Sequence, residues 1–89
     1  MKARVLIIDD DDAVRSSLKL IFEYEGYEVL LAASGPVGLK IAEQEAPDLV
    51  FLDVKMPQMD GLEVLKRLKE RDAAPPVVIL SGHGTVKTA

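Results

Sequence analysis

The stretch RVLIIDDDD at residues 4–12 decides the fold, because a short apolar run stops abruptly at four carboxylates. The stretch DLVFLD at residues 48–53 repeats this pattern with a single carboxylate at its end. Short apolar runs of this kind are typical of buried strands in a parallel sheet. Ligands of such sheets bind at the carboxyl ends of the strands, so we expect Asp9, Asp10 and Asp53 to converge if the two strands are neighbours.

Three carboxylates in one crevice repel one another strongly. They either take up protons or hold a hard divalent cation. Taken alone, the acidic run at residues 9–12 would be read as a polar strand exit followed by a helix cap. The matching carboxylate at Asp53 favours a metal site instead, and leaves Asp11 and Asp12 as capping or solvated residues.

Composition excludes several classes of protein. The chain has 89 residues, enough for one domain, and its 48% apolar content argues against disorder. The formal charge of -4 argues against direct binding of nucleic acid or an anionic membrane. There is no cysteine and only one histidine, His83, which excludes thiolate and multi-histidine metal sites. No stretch looks like a membrane span or a signal peptide, so we expect a cytoplasmic protein.

Strand-like and helix-like segments alternate along the chain, which predicts one α/β domain over residues 1–89. The series implies a doubly wound parallel sheet with helices on both faces. In the first helix, Asp11 or Asp12 is expected to cap the start and Gly26 to end it, with an apolar face at Val14, Leu18, Ile21 and Phe22. The predicted strands are 4–8, 27–32, 49–53 and 77–80, and the predicted helices are 13–25, 35–45 and 62–71.

These residues closely resemble the receiver domain of two-component response regulators. The matching positions are the pair Asp9 and Asp10, then Asp53, the loop KMPQMDG at residues 55–61, and Ser81 after the fourth strand. The match is collinear over all 89 residues. The segment SGHGT at residues 81–85 further resembles receivers of sigma-54-dependent transcriptional activators. The resemblance implies a flavodoxin-like fold with strand order 2-1-3-4-5.

The resemblance also implies a role for each matching residue. Asp53 would accept a phosphoryl group from a histidine kinase, in a Mg²⁺-dependent reaction that controls transcription in the intact protein. Asp10 and Asp53 would bind Mg²⁺ directly, Asp9 mainly through a water molecule, and Lys55 through its backbone carbonyl. Ser81 would hydrogen-bond the phosphoryl group. We therefore expect a regulatory phosphoacceptor, which is a substrate of the kinase and not itself an enzyme.

The chain departs from the family pattern at its end. The family continues with a fifth strand that ends in a lysine, flanked by two helices. This sequence completes none of the three, so we expect a truncated receiver. Thr85 is expected to open a fourth helix that includes Lys87, which is not the equivalent of the family's lysine. The strand at residues 77–80 would then be an uncovered edge, so we expect a homo-oligomer through it.

Three other functions remain open. An aspartate-nucleophile phosphohydrolase would want a second Asp two residues after Asp53, where this chain has Lys55. A nucleotide-binding domain would want a glycine-rich loop after the first strand, where this chain is acidic. An interaction or dimerisation module with a non-functional acidic pocket is the third alternative.

Overall fold

The structure is a computed structural model, which describes residues 2–53, 61–71 and 74–80 and the backbone of residues 86–88. Strands and helices alternate along these ranges as the sequence predicts, up to the last strand. The elements are β1 (Arg4–Ile8), α1 (Asp12–Tyr24), β2 (Glu28–Ala32), α2 (Gly35–Glu45), β3 (Leu49–Asp53), α3 (Gly61–Lys69), β4 (Val77–Leu80) and β5 (Val86–Thr88).

The strands form one sheet in the order β2-β1-β3-β4-β5. β1 lies between β2 and β3 and is parallel to both, and β4 is parallel to β3. The predicted doubly wound parallel sheet, with the first and third strands side by side, is therefore confirmed. This order places the ends of β1 and β3 next to each other, which is the condition that the sequence argument set for an acidic site.

The ends of α1 follow the sequence signals. Asp11 is the N-cap: its side chain accepts hydrogen bonds from the backbone N–H groups of Ala13 and Val14, at 2.8 and 3.4 Å. These bonds satisfy donors that a helix start otherwise leaves without a partner. Beyond the other end, Gly26 has a φ of +93°, which L-residues rarely adopt. The sequence left either Asp11 or Asp12 as the cap, and the structure shows that it is Asp11.

The main apolar core of the described residues lies on one face of the sheet. α2 and α3 cover this face, and between them and the sheet lies a cluster of buried side chains with partly buried apolar residues around it. Burial of this much apolar surface is the main stabilising contribution to the fold. The buried members are Leu6, Ile8, Ala32, Ala42, Val50, Leu52, Val64, Leu68 and Val77.

On the other face, α1 is the covering helix within the described residues, and it contains no fully buried residue. Phe22 packs against Phe51 of β3 with ring centroids 4.9 Å apart. The prediction that Ile21 belongs to the buried face is wrong, since its side chain is 56% exposed. A single helix covers only part of this face, and no neighbouring helix of the described residues packs against its sides. Ile21, on one side of α1, therefore remains exposed to solvent.

The last described segment corrects a second prediction. Residues 86–88 form a strand antiparallel to β4, not the start of a helix that includes Lys87. Val86 and Thr88 are β-branched and favour strands. The edge of β4 offers backbone groups with which this segment can form hydrogen bonds, whereas a short isolated helix would be only marginally stable. Thr85 itself lies outside the described residues.

The same pairing corrects the expectation that β4 is an uncovered edge. β5 pairs with Val78, Ile79 and Leu80 along that edge. It is antiparallel, so it is not the parallel fifth strand that the resemblance implies. The prediction of a homo-oligomer was based on an uncovered β4 edge, and β5 covers that edge. The homo-oligomer itself stays a prediction.

Gly38 brings α2 close to the end of β1. A Cβ atom at this position would lie 2.5 Å from Cδ1 and 2.7 Å from Cγ1 of Ile8, which is fully buried. Because Ile8 directly precedes Asp9, the close approach of α2 helps to fix the strand end that carries the acidic residues.

We predict that Gly38→Ala lowers the free energy of unfolding by about 1–3 kcal/mol, because the new methyl group overpacks the core against Ile8. The same change at an exposed helical position would stabilise, since Ala has the higher helix propensity. Urea denaturation monitored by circular dichroism measures the difference.

The control is the same substitution in an Ile8→Ala background, where space is available and Gly38→Ala should lose most of its penalty. Val37→Ala, at the exposed neighbouring position, should change stability by no more than about 0.5 kcal/mol. An equal loss from Gly38→Ala in both backgrounds would contradict the role assigned to the close approach.

Candidate metal centre

Two neighbouring strands carry the acidic residues to one edge of the sheet. β1 and β3 are in register with Ile8 opposite Leu52, so the next residues, Asp9 and Asp53, lie level with each other. The backbone N–H of Asp9 continues the pairing with β2, because it donates to the carbonyl of Ala32 at 3.1 Å. The parallel register alone therefore brings together two carboxylates that are 44 residues apart in the sequence.

The structure brings Asp9, Asp10 and Asp53 together, as the sequence predicts. One carboxylate oxygen from each residue lies within 4.8 Å of the others. Asp9 is buried with a relative exposure of 4%, Asp53 is half-buried and Asp10 is exposed. The cluster thus has one anchored carboxylate and two that solvent reaches.

The electrostatics of the cluster are unfavourable without a counter-charge. Burial raises the pKa of the Asp9 carboxyl above its ordinary value of 3.8, and the neighbouring carboxylates of Asp53, Asp10 and Asp11 raise it further. The backbone N–H of Asp11 donates to Oδ1 of Asp9 at 2.9 Å and acts in the opposite direction. The net direction is upward, so the ionised cluster favours a proton or a cation.

The donor set fits a hard divalent cation. Carboxylate oxygens are the ligands that Mg²⁺ and Ca²⁺ prefer, and Mg²⁺ is typically held by one or two carboxylates with the remaining positions filled by water or phosphate oxygens. A buried carboxylate such as Asp9 needs a neutralising partner. Asp9, Asp10 and Asp53 are the residues that would hold the ion.

Two of the predicted site residues cannot be placed. Lys55, predicted to contribute its backbone carbonyl, and Ser81, predicted to sense the phosphoryl group, lie outside the described residues. His83 lies outside them as well. Their predicted roles stay predictions.

Arg15 also contacts this site, and it was not among the residues predicted from the sequence. Its guanidinium reaches back from α1 to the backbone carbonyl of Asp9, with Nη1 to O at 2.7 Å, and its Nη2 pairs with Oδ1 of Asp12. A signal was present, because a cation one turn into a helix that starts with carboxylates runs against the helix dipole. Asp12 was expected to be a solvated residue, and it is 90% exposed but pairs with this arginine.

This fold and this edge define a class: a doubly wound parallel sheet with an acidic cluster where two central strands end. A family model for the response regulator receiver domain matches residues 5–89. The chain therefore belongs to the response regulator receiver domain family.

Individual relatives agree with this assignment. The chain is 44% identical to sporulation initiation phosphotransferase F of Bacillus subtilis over 84 residues, which are 94% of this chain and 68% of that protein. It is 43% identical to the transcriptional regulatory protein AfsQ1 of Streptomyces coelicolor, over 92% of this chain and 36% of that protein. The chain thus spans only part of each of these relatives.

Solved structures support the fold. A CheY-like response regulator receiver domain protein from Methanospirillum hungatei superposes with a TM-score of 0.86 at 40% identity, covering 96% of this chain and 68% of that one. None of the helices in the described ranges is both long enough and apolar enough to cross a bilayer.

The raised pKa of Asp9 predicts a pH-dependent stability. Between 3.8 and the higher pKa in the folded state, the folded chain binds more protons than the unfolded chain, so stability falls as the pH rises through this window. We predict that Asp9→Asn raises the melting temperature of the metal-free protein at pH 7, because it removes a buried charge and keeps an oxygen that accepts from Asp11.

Thermal melts in EDTA from pH 7 down to pH 4 check this prediction, and the advantage of Asp9→Asn should shrink as the pH falls. Glu70→Gln is the matched control, since it removes an exposed carboxylate outside the cluster. A melting temperature below that of wild type at pH 7, or an advantage independent of pH, would contradict the account.

Proposed function

We propose that this chain is the phosphoacceptor of a two-component system, and that Asp53 receives a phosphoryl group from the phosphohistidine of a histidine kinase. The observation that carries the proposal is the approach of three carboxylate oxygens within 4.8 Å at the strand ends, in a chain of the receiver family. Asp9, Asp10 and Asp53 would hold Mg²⁺.

In this reaction an oxygen of Asp53 attacks phosphorus and forms an O–P bond. The P–N bond to the kinase's histidine breaks, and its electron pair returns to the imidazole nitrogen. The half-buried position of Asp53 leaves its carboxylate accessible to an incoming donor while the strand fixes its direction. The product is an acyl phosphate, which hydrolyses readily and therefore serves as a transient signal.

The main obstacle is repulsion between the anionic phosphoryl group and the carboxylates. Mg²⁺, when bound, would offset this negative charge and so lower the barrier to transfer. The burial of Asp9 supports this role for a cation, since its charge is poorly solvated by water. Asp10 and Asp53, which solvent reaches, are placed to meet both an ion and a donor.

The remaining parts of the proposal go beyond the described residues. The carbonyl of Lys55 would complete the cation's protein ligands, and the hydroxyl of Ser81 would hydrogen-bond the phosphoryl group. Control of transcription by the intact protein is supported by relatives such as AfsQ1, named a transcriptional regulatory protein. The narrower similarity to sigma-54-dependent activators rests on residues 81–85. We class the domain as a regulatory substrate, and its cytoplasmic location stays a prediction.

The test is incubation of the chain with acetyl phosphate and Mg²⁺, followed by intact-protein mass spectrometry. We predict the mass gain of one phosphoryl group, lost in Asp53→Asn and strongly reduced in EDTA. Asp48→Asn is the matched control, because Asp48 directly precedes the first residue of β3, at the other end of the strand from Asp53. This variant should still show the mass gain of one phosphoryl group.

A gain that survives in Asp53→Asn would place the acceptor elsewhere. No gain in a folded wild-type chain would favour the interaction module with a non-functional acidic pocket. Continuous release of phosphate from simple phosphate esters would instead favour the phosphohydrolase.

A further inference from the structure

Arg15 is a partly buried cation in α1, beside the acidic turn that joins β1 to α1. Its side chain is only 15% exposed, although it belongs to the first turns of a surface helix. A positive charge near a helix N-terminus is opposed by the helix dipole, although the i,i+3 pair that Arg15 forms with Asp12 favours the helix. The contact that reaches out of the helix is the one to the backbone carbonyl of Asp9.

The guanidinium bridges the turn and the first residue of α1. Nη1 donates to the backbone carbonyl of Asp9 at 2.7 Å, and Nη2 donates to the carboxylate of Asp12. A guanidinium is planar and rigid, so a contact at each of two nitrogens fixes the direction of the group as well as its distance. The carbonyl of Asp9 is thereby held on the side of α1.

That carbonyl belongs to the peptide group that joins Asp9 to Asp10. The peptide group is planar, so the direction of its oxygen determines the direction in which the chain continues to Asp10. Two further contacts hold Asp9: its N–H donates to Ala32 at 3.1 Å, and its Oδ1 accepts from Asp11 at 2.9 Å. Arg15 supplies the constraint on the remaining polar atom of the Asp9 main chain.

We propose that Arg15 is a positioning residue of the cation site, which sets the Asp9–Asp10 peptide plane so that both carboxylates face Asp53. This inference rests on the proposed function. Arg15 touches neither the cation nor the phosphoryl group in this proposal and acts through the backbone of Asp9.

The test compares Arg15→Gln and Arg15→Lys with wild type by calorimetric titration with Mg²⁺ alone. We expect Arg15→Gln to weaken Mg²⁺ binding about tenfold, as loss of a group that orients metal ligands typically does. Arg15→Lys keeps the charge but lacks the planar two-nitrogen fork, so it should also bind more weakly. Lys19→Gln is the matched control, because it removes a cation one turn further along the same helix, and it should bind like wild type.

A second readout needs no metal. In the metal-free chain, the ¹³C chemical shift of the Asp9 carbonyl should move in Arg15→Gln and stay in place in Lys19→Gln, because a carbonyl that loses a charged donor becomes less polarised. The far-ultraviolet circular dichroism spectrum of each variant establishes that it is folded before either measurement.

The outcomes separate the possible roles of Arg15. Tighter Mg²⁺ binding by Arg15→Gln with unchanged binding by Arg15→Lys would overturn the inference, since Arg15 would then be only a competing charge. Unchanged Mg²⁺ binding by both folded variants would also overturn the inference. The proposed function would still stand in that case, because the wild-type chain binds Mg²⁺. A wild-type chain that takes up no Mg²⁺ would overturn both.

Discussion

Repulsion among carboxylates that the sheet forces together is the constraint on which the site depends. Two unit charges 4 Å apart near a protein surface repel by about 4 kcal/mol, and exposure of one of them to water and salt reduces this. A hydrogen bond to a charged group contributes about 1.5–3 kcal/mol, so the N–H of Asp11 offsets part of the repulsion at Asp9, and the net direction of its pKa is still upward. Burial is the largest cause of the raised pKa of Asp9, and repulsion by the neighbouring carboxylates raises that pKa further.

The fold keeps the cluster in place despite this repulsion by fixing its most buried member. β1 is central in the sheet and four of its five residues are fully buried, and Gly38 lets α2 approach the end of that strand closely. The next residue, Asp9, is then held through its N–H, its side chain and its carbonyl. The two carboxylates that solvent reaches, those of Asp10 and Asp53, are the ones placed to exchange ligands. The division between an anchored acid and two accessible ones suits a site that binds a cation and an incoming phosphoryl group.

The sequence predicted the parts of the molecule that local patterns determine. The apolar runs before Asp9 and Asp53 favour buried parallel strands, so the acidic cluster at their ends could be predicted from them. It could not predict that Ile21 stays exposed, because exposure depends on how many helices share one face of the sheet. It also missed the strand at residues 86–88, which depends on an available sheet edge, and the reach of Arg15, which depends on the geometry of the turn.

The central claim is that the tips of β1 and β3 share one ion, and a paramagnetic titration tests it most directly. Mn²⁺ takes the same oxygen ligands as Mg²⁺ and broadens the NMR signals of nearby amides. The account predicts that the amide signals of Asp10 and Asp53 broaden together at the same substoichiometric Mn²⁺ concentration, and that excess Mg²⁺ restores both. Broadening that begins at the acidic run of residues 9–12 and leaves Asp53 unaffected would contradict the account.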